Sequence, residues 1–283
     1  MRSQHDAEIK AGSRFAFGEN WAQFLAALDE DRIRQAEQSL RDSLKQQHFQ
    51  GKRFLDVGSG SGLFSLAARR LGARVRSFDY DPRSVACTEE LKRRYFADDP
   101  DWLVEQGSVL DQAYLNSLGQ WDIVYSWGVL HHTGDMPKAL ANVSDLVRDG
   151  GNLFIAIYND QGRASRMWLG VKRAYNRLPK GLRFLVLWPA TVRLWGPAIV
   201  LDLFAGRPSH SWRNYPKESL RGMSPWRDVI DWVGGLPFEV ATPHQIFRFY
   251  RDREYLLQEL RTCAGSHGCN EFVFKKTAEA VDR

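Results

Sequence analysis

The run Phe54-Leu55-Asp56-Val57-Gly58-Ser59-Gly60-Ser61-Gly62 constrains this chain more than any other segment. A short apolar stretch that ends in three glycines and leads into the helical pattern of residues 63–71 reads as strand, tight turn and helix. Such a turn brings backbone N–H groups and a helix N-terminus up against a nucleotide. Two carboxylates narrow the choice of nucleotide. Asp79 ends the next apolar run, 21 residues after Gly58, where an acid accepts hydrogen bonds from ribose hydroxyls. Asp56 precedes the glycines, where its charge is badly placed beside a pyrophosphate and well placed beside an ammonium group. The dinucleotide fingerprint also wants a glycine where Leu63 stands. The pattern suits a nucleoside with a cationic tail.

Around this turn, strand and helix patterns alternate. Strands are expected at 53–57, 75–78, 102–105, 122–127 and 153–158. Helices are expected at 63–71, after Asp81-Pro82, and at 136–147, where Asp149-Gly150-Gly151 turns the chain into the fifth strand. Five strands at spacings of 20–30 residues imply βαβ units and a parallel sheet. Residues 15–46 read as helical, with Trp21, Phe24, Leu25, Leu28, Ile33, Ala36, Leu40 and Leu44 three or four apart. Residues 1–13 and those after Phe274 read as frayed. Ser224-Pro225 and Thr242-Pro243 start two later helices, and residues 256–262 and 270–275 form an antiparallel hairpin. The expected organisation is a helical cap (1–50), a core (51–158), a helical insertion (159–223), completion of the core (224–276) and a tail (277–283).

Charge marks the insertion. The chain has 39 Lys plus Arg against 34 acids, a net +5 that by itself is no argument for a nucleic-acid partner. Residues 160–227, however, hold 13 Lys plus Arg against three acids, so the rest of the chain is net acidic. Within that block residues 184–205 form an apolar run of nearly membrane-span length, interrupted by Pro189, Arg193, Gly196, Pro197 and Asp202. It reads as a buried or lid-forming helix pair. Contact with a membrane surface, and burial between copies of the chain, stay open. Three cysteines and a polar start, Met1 to Asp6, with no apolar core point to a cytoplasmic, reducing location.

The segments DVGSGSG at Asp56–Gly62, FDYD ending β-like residues 78–81, Gly107-Ser108-Val109-Leu110-Asp111, Trp121 to Ser126 followed by Val129-Leu130-His131-His132, and Gly150-Gly151-Asn152-Leu153-Phe154 together resemble the class I S-adenosylmethionine-dependent methyltransferases, small-molecule type. The resemblance runs from about Arg53 to Tyr158, and the closing hairpin also fits. It implies a doubly wound, Rossmann-like seven-stranded α/β sheet, mostly parallel, with an antiparallel terminal hairpin. It also implies S-adenosylmethionine as cofactor, S-adenosylhomocysteine as product and no metal. By resemblance, Gly58, Ser59, Gly60, Gly62 and Leu63 approach the methionine part, and Asp56 reaches its ammonium. Asp79 takes the ribose, while Tyr80, Ser108, Val109, Leu110 and Trp127 enclose the nucleoside. Ser108 stands where many relatives carry aspartate.

The acceptor is expected to be a small molecule, methylated on oxygen ahead of sulfur or nitrogen. A phenol near pKa 10 is protonated at neutral pH, so a positioned histidine helps. His131 and His132, with Tyr158, are the candidates for catalysis, and Asn159 ends the fifth strand on the same side. Phe17, Asn20 and Trp21 are expected to cover the pocket, with Arg163 and Arg221 holding an anionic acceptor or lid. Cys263, His267 and Cys269 lack a fourth ligand and do not make a metal site. Two other readings stay open: an RNA or protein methyltransferase that docks through the basic insertion, and a noncatalytic sensor or scaffold that binds the cofactor.

Overall fold

Strand order puts the reversal in winding beside the glycine turn. The protein is seen in a computed structural model that describes residues 2–18, 25, 28–218, 224–264 and 268–277. In chain order its elements are α1 (Arg2–Lys10), α2 (Glu30–Leu44), β1 (Arg53–Val57), α3 (Leu63–Arg70), β2 (Arg74–Asp79), α4 (Pro82–Tyr95), β3 (Trp102–Gln106), α5 (Gln112–Leu118), β4 (Trp121–Trp127) and α6 (Met136–Asp145). They continue with β5 (Val147–Tyr158), α7 (Arg163–Arg177), α8 (Phe184–Phe204), α9 (His210–Glu218), α10 (Pro225–Gly234), α11 (Pro243–Arg251), β6 (Tyr255–Arg261) and β7 (Cys269–Lys276). The sheet runs β3-β2-β1-β4-β5-β7-β6, with β1 to β5 parallel and β7 antiparallel to both neighbours. The chain winds outward from β1 to one side and then, from β4, to the other. Loops leaving the C-terminal ends of β1 and β4 therefore diverge and leave a crevice.

Successive residues of a strand face opposite sides of the sheet, so β1 serves two cores. Leu55 and Val57 join Val124, Leu153 and Ile155 beneath α5, α6 and α11, whereas Phe54 joins Ile123, Tyr125 and Phe154 beneath α2, α3 and α4. Burial on both faces is why these strands read as unbroken apolar runs. A third cluster holds the insertion to the core: Trp168 and Tyr175 of α7, Leu187 and Ala190 of α8, and Val229 and Val233 of α10. The proline-led helix starts are present as capped N-termini, with Asp81, Ser224 and Thr242 accepting from the backbones of Arg83, Arg227 and Gln245.

Four expectations are corrected. The N-terminus is not frayed: residues 2–10 form α1, and its His5 is buried, edge-on to Tyr80 at 5.4 Å with Nε2 3.6 Å from Asp81. Helix across 15–46 is interrupted, because Asp29 caps a new helix at Glu30. Asp149-Gly150-Gly151 lies inside β5 as a bulge opposite Trp121 and Ile123, so the strand starts six residues earlier than the turn suggests. Residues 184–204 form one helix rather than a pair, with Pro189 and Pro197 on its exposed side. Asn20, Trp21, Arg221 and His267 lie outside the described residues.

Candidate functional site

A cavity of about 870 Å³ occupies the crevice. The turn after β1 forms its floor. Gly58 has φ +80, and a Cβ there would come within 2.4 Å of Val129 Cγ1, so only glycine fits. Gly60 N–H donates to Asp79 Oδ2 at 2.9 Å, and Asp81 N–H donates to Asp79 Oδ1 at 2.8 Å, which ties the turn to the end of β2.

Asp56 is held from behind. Trp102 Nε1 donates to Ser77 Oγ at 3.0 Å, Ser77 and Ser65 hydroxyls lie 2.7 Å apart, and Ser65 Oγ donates to Asp56 Oδ2. With Trp102 supplying the first proton, this chain orients every hydroxyl toward Asp56. Even so, burial pushes the Asp56 carboxyl up to about 7, against the lowering effect of the Ser65 hydrogen bond and with further raising by Asp79. Burial also pushes Asp79 up to about 6, opposed by the N–H groups of Asp81 and Gly60. Two desolvated carboxylates on one cavity wall favour a ligand that brings positive charge. A nucleoside with an ammonium and a sulfonium meets that requirement, so the residues present fit S-adenosylmethionine.

Helix α1 closes this end. Arg14 bonds Glu8 through Nε, donates from Nη1 to the His132 carbonyl at 3.1 Å, and lies 4.8 Å over the Tyr80 ring. Ser108, Val109 and Leu110 line the wall beyond β3.

The other end is aromatic. His132, Tyr158, Phe17 and Trp232 line it, with Leu194, Trp195 and Tyr215 from the insertion. Phe17 packs on His132 at 4.8 Å, and Tyr158 meets Trp232 edge-on at 5.2 Å. His132 Nδ1 is 2.6 Å from the Pro237 carbonyl. A carbonyl only accepts, so Nδ1 carries the proton and Nε2 holds the lone pair of the neutral ring. His131 differs. It is fully buried, packs 3.9 Å from Tyr158, and its Nδ1 accepts from the Tyr158 N–H at 3.4 Å. Asp228 accepts from Tyr215 Oη at 2.7 Å and, with Asp231, adds carboxylates to this end.

The cavity thus brings together Asp56, Gly58, Ser59, Gly60, Leu63, Asp79 and Tyr80 with the Ser108 loop, Trp127, His132, Tyr158 and Phe17. Four candidates lie outside its lining. Gly62 packs against Thr88, and His131 supports Tyr158 from below. The Asn159 side chain accepts from Asn270 at 3.0 Å, and Arg163 is exposed on α7. No group of three or more metal-ligating side chains occurs among the described residues. Sequence reasoning missed Glu8 of α1 and Arg14 just beyond it, because a polar segment carries no periodic signal. It also missed Asp228, Asp231 and Trp232, although their helix start was legible.

A doubly wound sheet with an inverted seventh strand, a glycine turn after β1 and an acid ending β2 define a nucleoside-binding α/β core. The chain belongs to the methyltransferase-domain family, whose model matches residues 28–186, and within it to the class I S-adenosylmethionine-dependent methyltransferases. It is 30% identical over 176 residues to the ubiquinone biosynthesis O-methyltransferase of Xanthomonas axonopodis pv. citri, covering 60% of this chain and 72% of that protein. Its identity to the Methylocella silvestris protein of the same name is 28% over 186 residues, 65% of this chain and 60% of that one. The match to the Aeromonas salmonicida protein spans 54% of its length. Magnesium protoporphyrin IX methyltransferase from Synechocystis PCC 6803, with bound S-adenosylhomocysteine, shares the fold. Its TM-score is 0.51 at 12% identity, over 87% of this chain and 83% of that one.

Proposed function

We propose that this chain transfers a methyl group from S-adenosylmethionine to an oxygen of a small, largely planar acceptor held at the His132 end of the cavity. The observation that carries this reading is His132 Nδ1 bonded to Pro237, in the wall of the same cavity that contains Asp56 and Asp79. When bound, the cofactor supplies a methyl carbon activated by a sulfonium leaving group.

The chain's own residues then have three tasks. Asp79 accepts from the ribose hydroxyls, Asp56 offsets the ammonium charge, and Tyr80, Ser108, Val109 and Leu110 enclose the adenine. Tyr158, Trp232, Phe17 and Trp195 stack on the acceptor and exclude water, which fixes its nucleophile for in-line attack. His132 Nε2 removes the hydroxyl proton, a step that a phenol requires and a thiol needs less. A cavity of about 870 Å³ lies near the top of the range for ligand sites, roughly 300–1,000 Å³, and accommodates cofactor and acceptor together. The names of the Xanthomonas and Methylocella relatives, both O-methyltransferases, support oxygen as the acceptor atom.

The test is incubation of the protein with methyl-labelled S-adenosylmethionine and cell extract, followed by separation into small-molecule, lipid, RNA and protein fractions. Label is expected in an organic-soluble, low-molecular-mass product that resists the base treatment that cleaves esters. Label in RNA or protein would overturn the reading.

A further inference from the structure

Among the described residues, the outer face of α8 is largely uncovered, Trp188 meeting Trp226 with ring centroids 6.2 Å apart. Residues 180–204 are long and apolar enough to cross a membrane: an 18-residue window within them has a mean hydropathy of 1.6, yet only 17% of that window is buried. Leu185, Trp188, Val192, Leu201 and Phe204 are 56, 61, 65, 68 and 89% exposed. The helix does not stand free to span a bilayer. Leu187, Ala190, Leu194 and Trp195 pack it along its length onto α7 and α10. Near its far end, Asp202 accepts from Ser211 N–H and Oγ, both at 2.8 Å. A helix lying flat on a domain with its other side greasy and open matches an interfacial helix.

Charge decides the occupant. Between residues 161 and 217 the sequence carries eleven Lys plus Arg, of which Lys172 is buried, and one acid, the buried Asp202. Lys180, Arg193 and Arg207 are exposed immediately before, along and after the apolar stripe. A second copy docked by a twofold axis would set this cationic surface against itself. Anionic headgroups complement it, each nearby cation adding to the attraction at such a surface. We infer that α8 seats the protein on an anionic lipid surface as a monotopic helix, without spanning it. Leu194 and Trp195 carry the inner face of the same helix into the cavity wall, so docking places the acceptor end next to lipid. The inference rests on the surface alone and does not require the proposed acceptor chemistry.

Vesicle co-sedimentation tests it, using mixed phosphatidylcholine–phosphatidylglycerol vesicles beside pure phosphatidylcholine. The protein is expected to pellet with the anionic vesicles, less so in high salt. The variant Leu185→Ser/Trp188→Ser/Val192→Ser/Leu201→Ser is expected to lose at least ~10-fold in partitioning while keeping S-adenosylhomocysteine binding and its melting temperature. None of the four side chains lines the cavity. Should the variant lose its fold, Arg193→Glu alone is expected to weaken anionic binding and leave light-scattering mass unchanged. Failure of the wild type to bind either vesicle would overturn the inference. So would equal binding to both, or a wild-type dimer that the variant converts to monomer.

Discussion

Asp79→Asn is expected to weaken S-adenosylmethionine binding about 100-fold, since asparagine gives up one of two charge-assisted hydrogen bonds to ribose hydroxyls, each contributing roughly 1.5–3 kcal/mol. Asparagine keeps the size and one acceptor oxygen, so Asp81 N–H or Gly60 N–H retains a partner and the turn after β1 stays folded. Calorimetric titration checks the affinity, and an unchanged far-ultraviolet spectrum checks the fold. Binding within a few-fold of wild type would remove Asp79 from the ribose. The same titration carries a pH dependence with a definite sign. Asp56 titrates near 7 and Asp79 near 6 in the ligand-free protein, because both are buried. A cationic ligand binds the ionised forms, so lowering the pH from about 8 to about 6 is expected to weaken binding about tenfold. The stability of the ligand-free protein moves the other way. Both folded values lie above the ordinary carboxylate value, so the native state holds more protons than the unfolded chain. These two groups therefore add stability as the pH falls through 7 and 6.

His132→Gln is expected to lower kcat on a phenolic acceptor roughly 100- to 1,000-fold, the usual contribution of a positioned base. Affinity for S-adenosylmethionine should change little, because Asp56 and Asp79, the carboxylates proposed to hold it, are untouched. Glutamine removes the imidazole lone pair that accepts the proton, and an unchanged melting temperature checks that the loop held to Pro237 survives. The acidic limb of the kcat profile should disappear with it. His131→Gln is the contrasting variant. His131 is buried beneath Tyr158, and its replacement should lower the melting temperature while the pH profile keeps its shape. If His131→Gln removes the acidic limb and His132→Gln does not, the roles are reversed.

That pair shows how far the sequence is legible. Adjacent histidines after a fourth strand are equivalent as letters. They separate only because Pro237, 105 residues away, accepts from one, while the Tyr158 backbone donates to the other. The glycine turn, Asp56 and Asp79 were readable because their chemistry is local: a strand, a positive-φ turn and an acid at the next strand end. The proline-led caps at residues 81, 224 and 242 were readable for the same reason. Helix α1 was not, since its buried side chain, His5, is held by Tyr80 and Asp81 rather than by an apolar stripe. The early start of β5 was hidden because two glycines mark a bulge as readily as a turn. In α8 the prolines suggested a break, but tertiary packing of the opposite face carries the helix through both.

The most direct measurement is a crystal structure of the protein with S-adenosylhomocysteine. The account predicts the ribose against Asp79, the amino-acid end beside Asp56 and the glycine turn, and the sulfur facing the space between His132, Tyr158 and Trp232. A nucleoside bound elsewhere, or a sulfur turned away from His132, would contradict it.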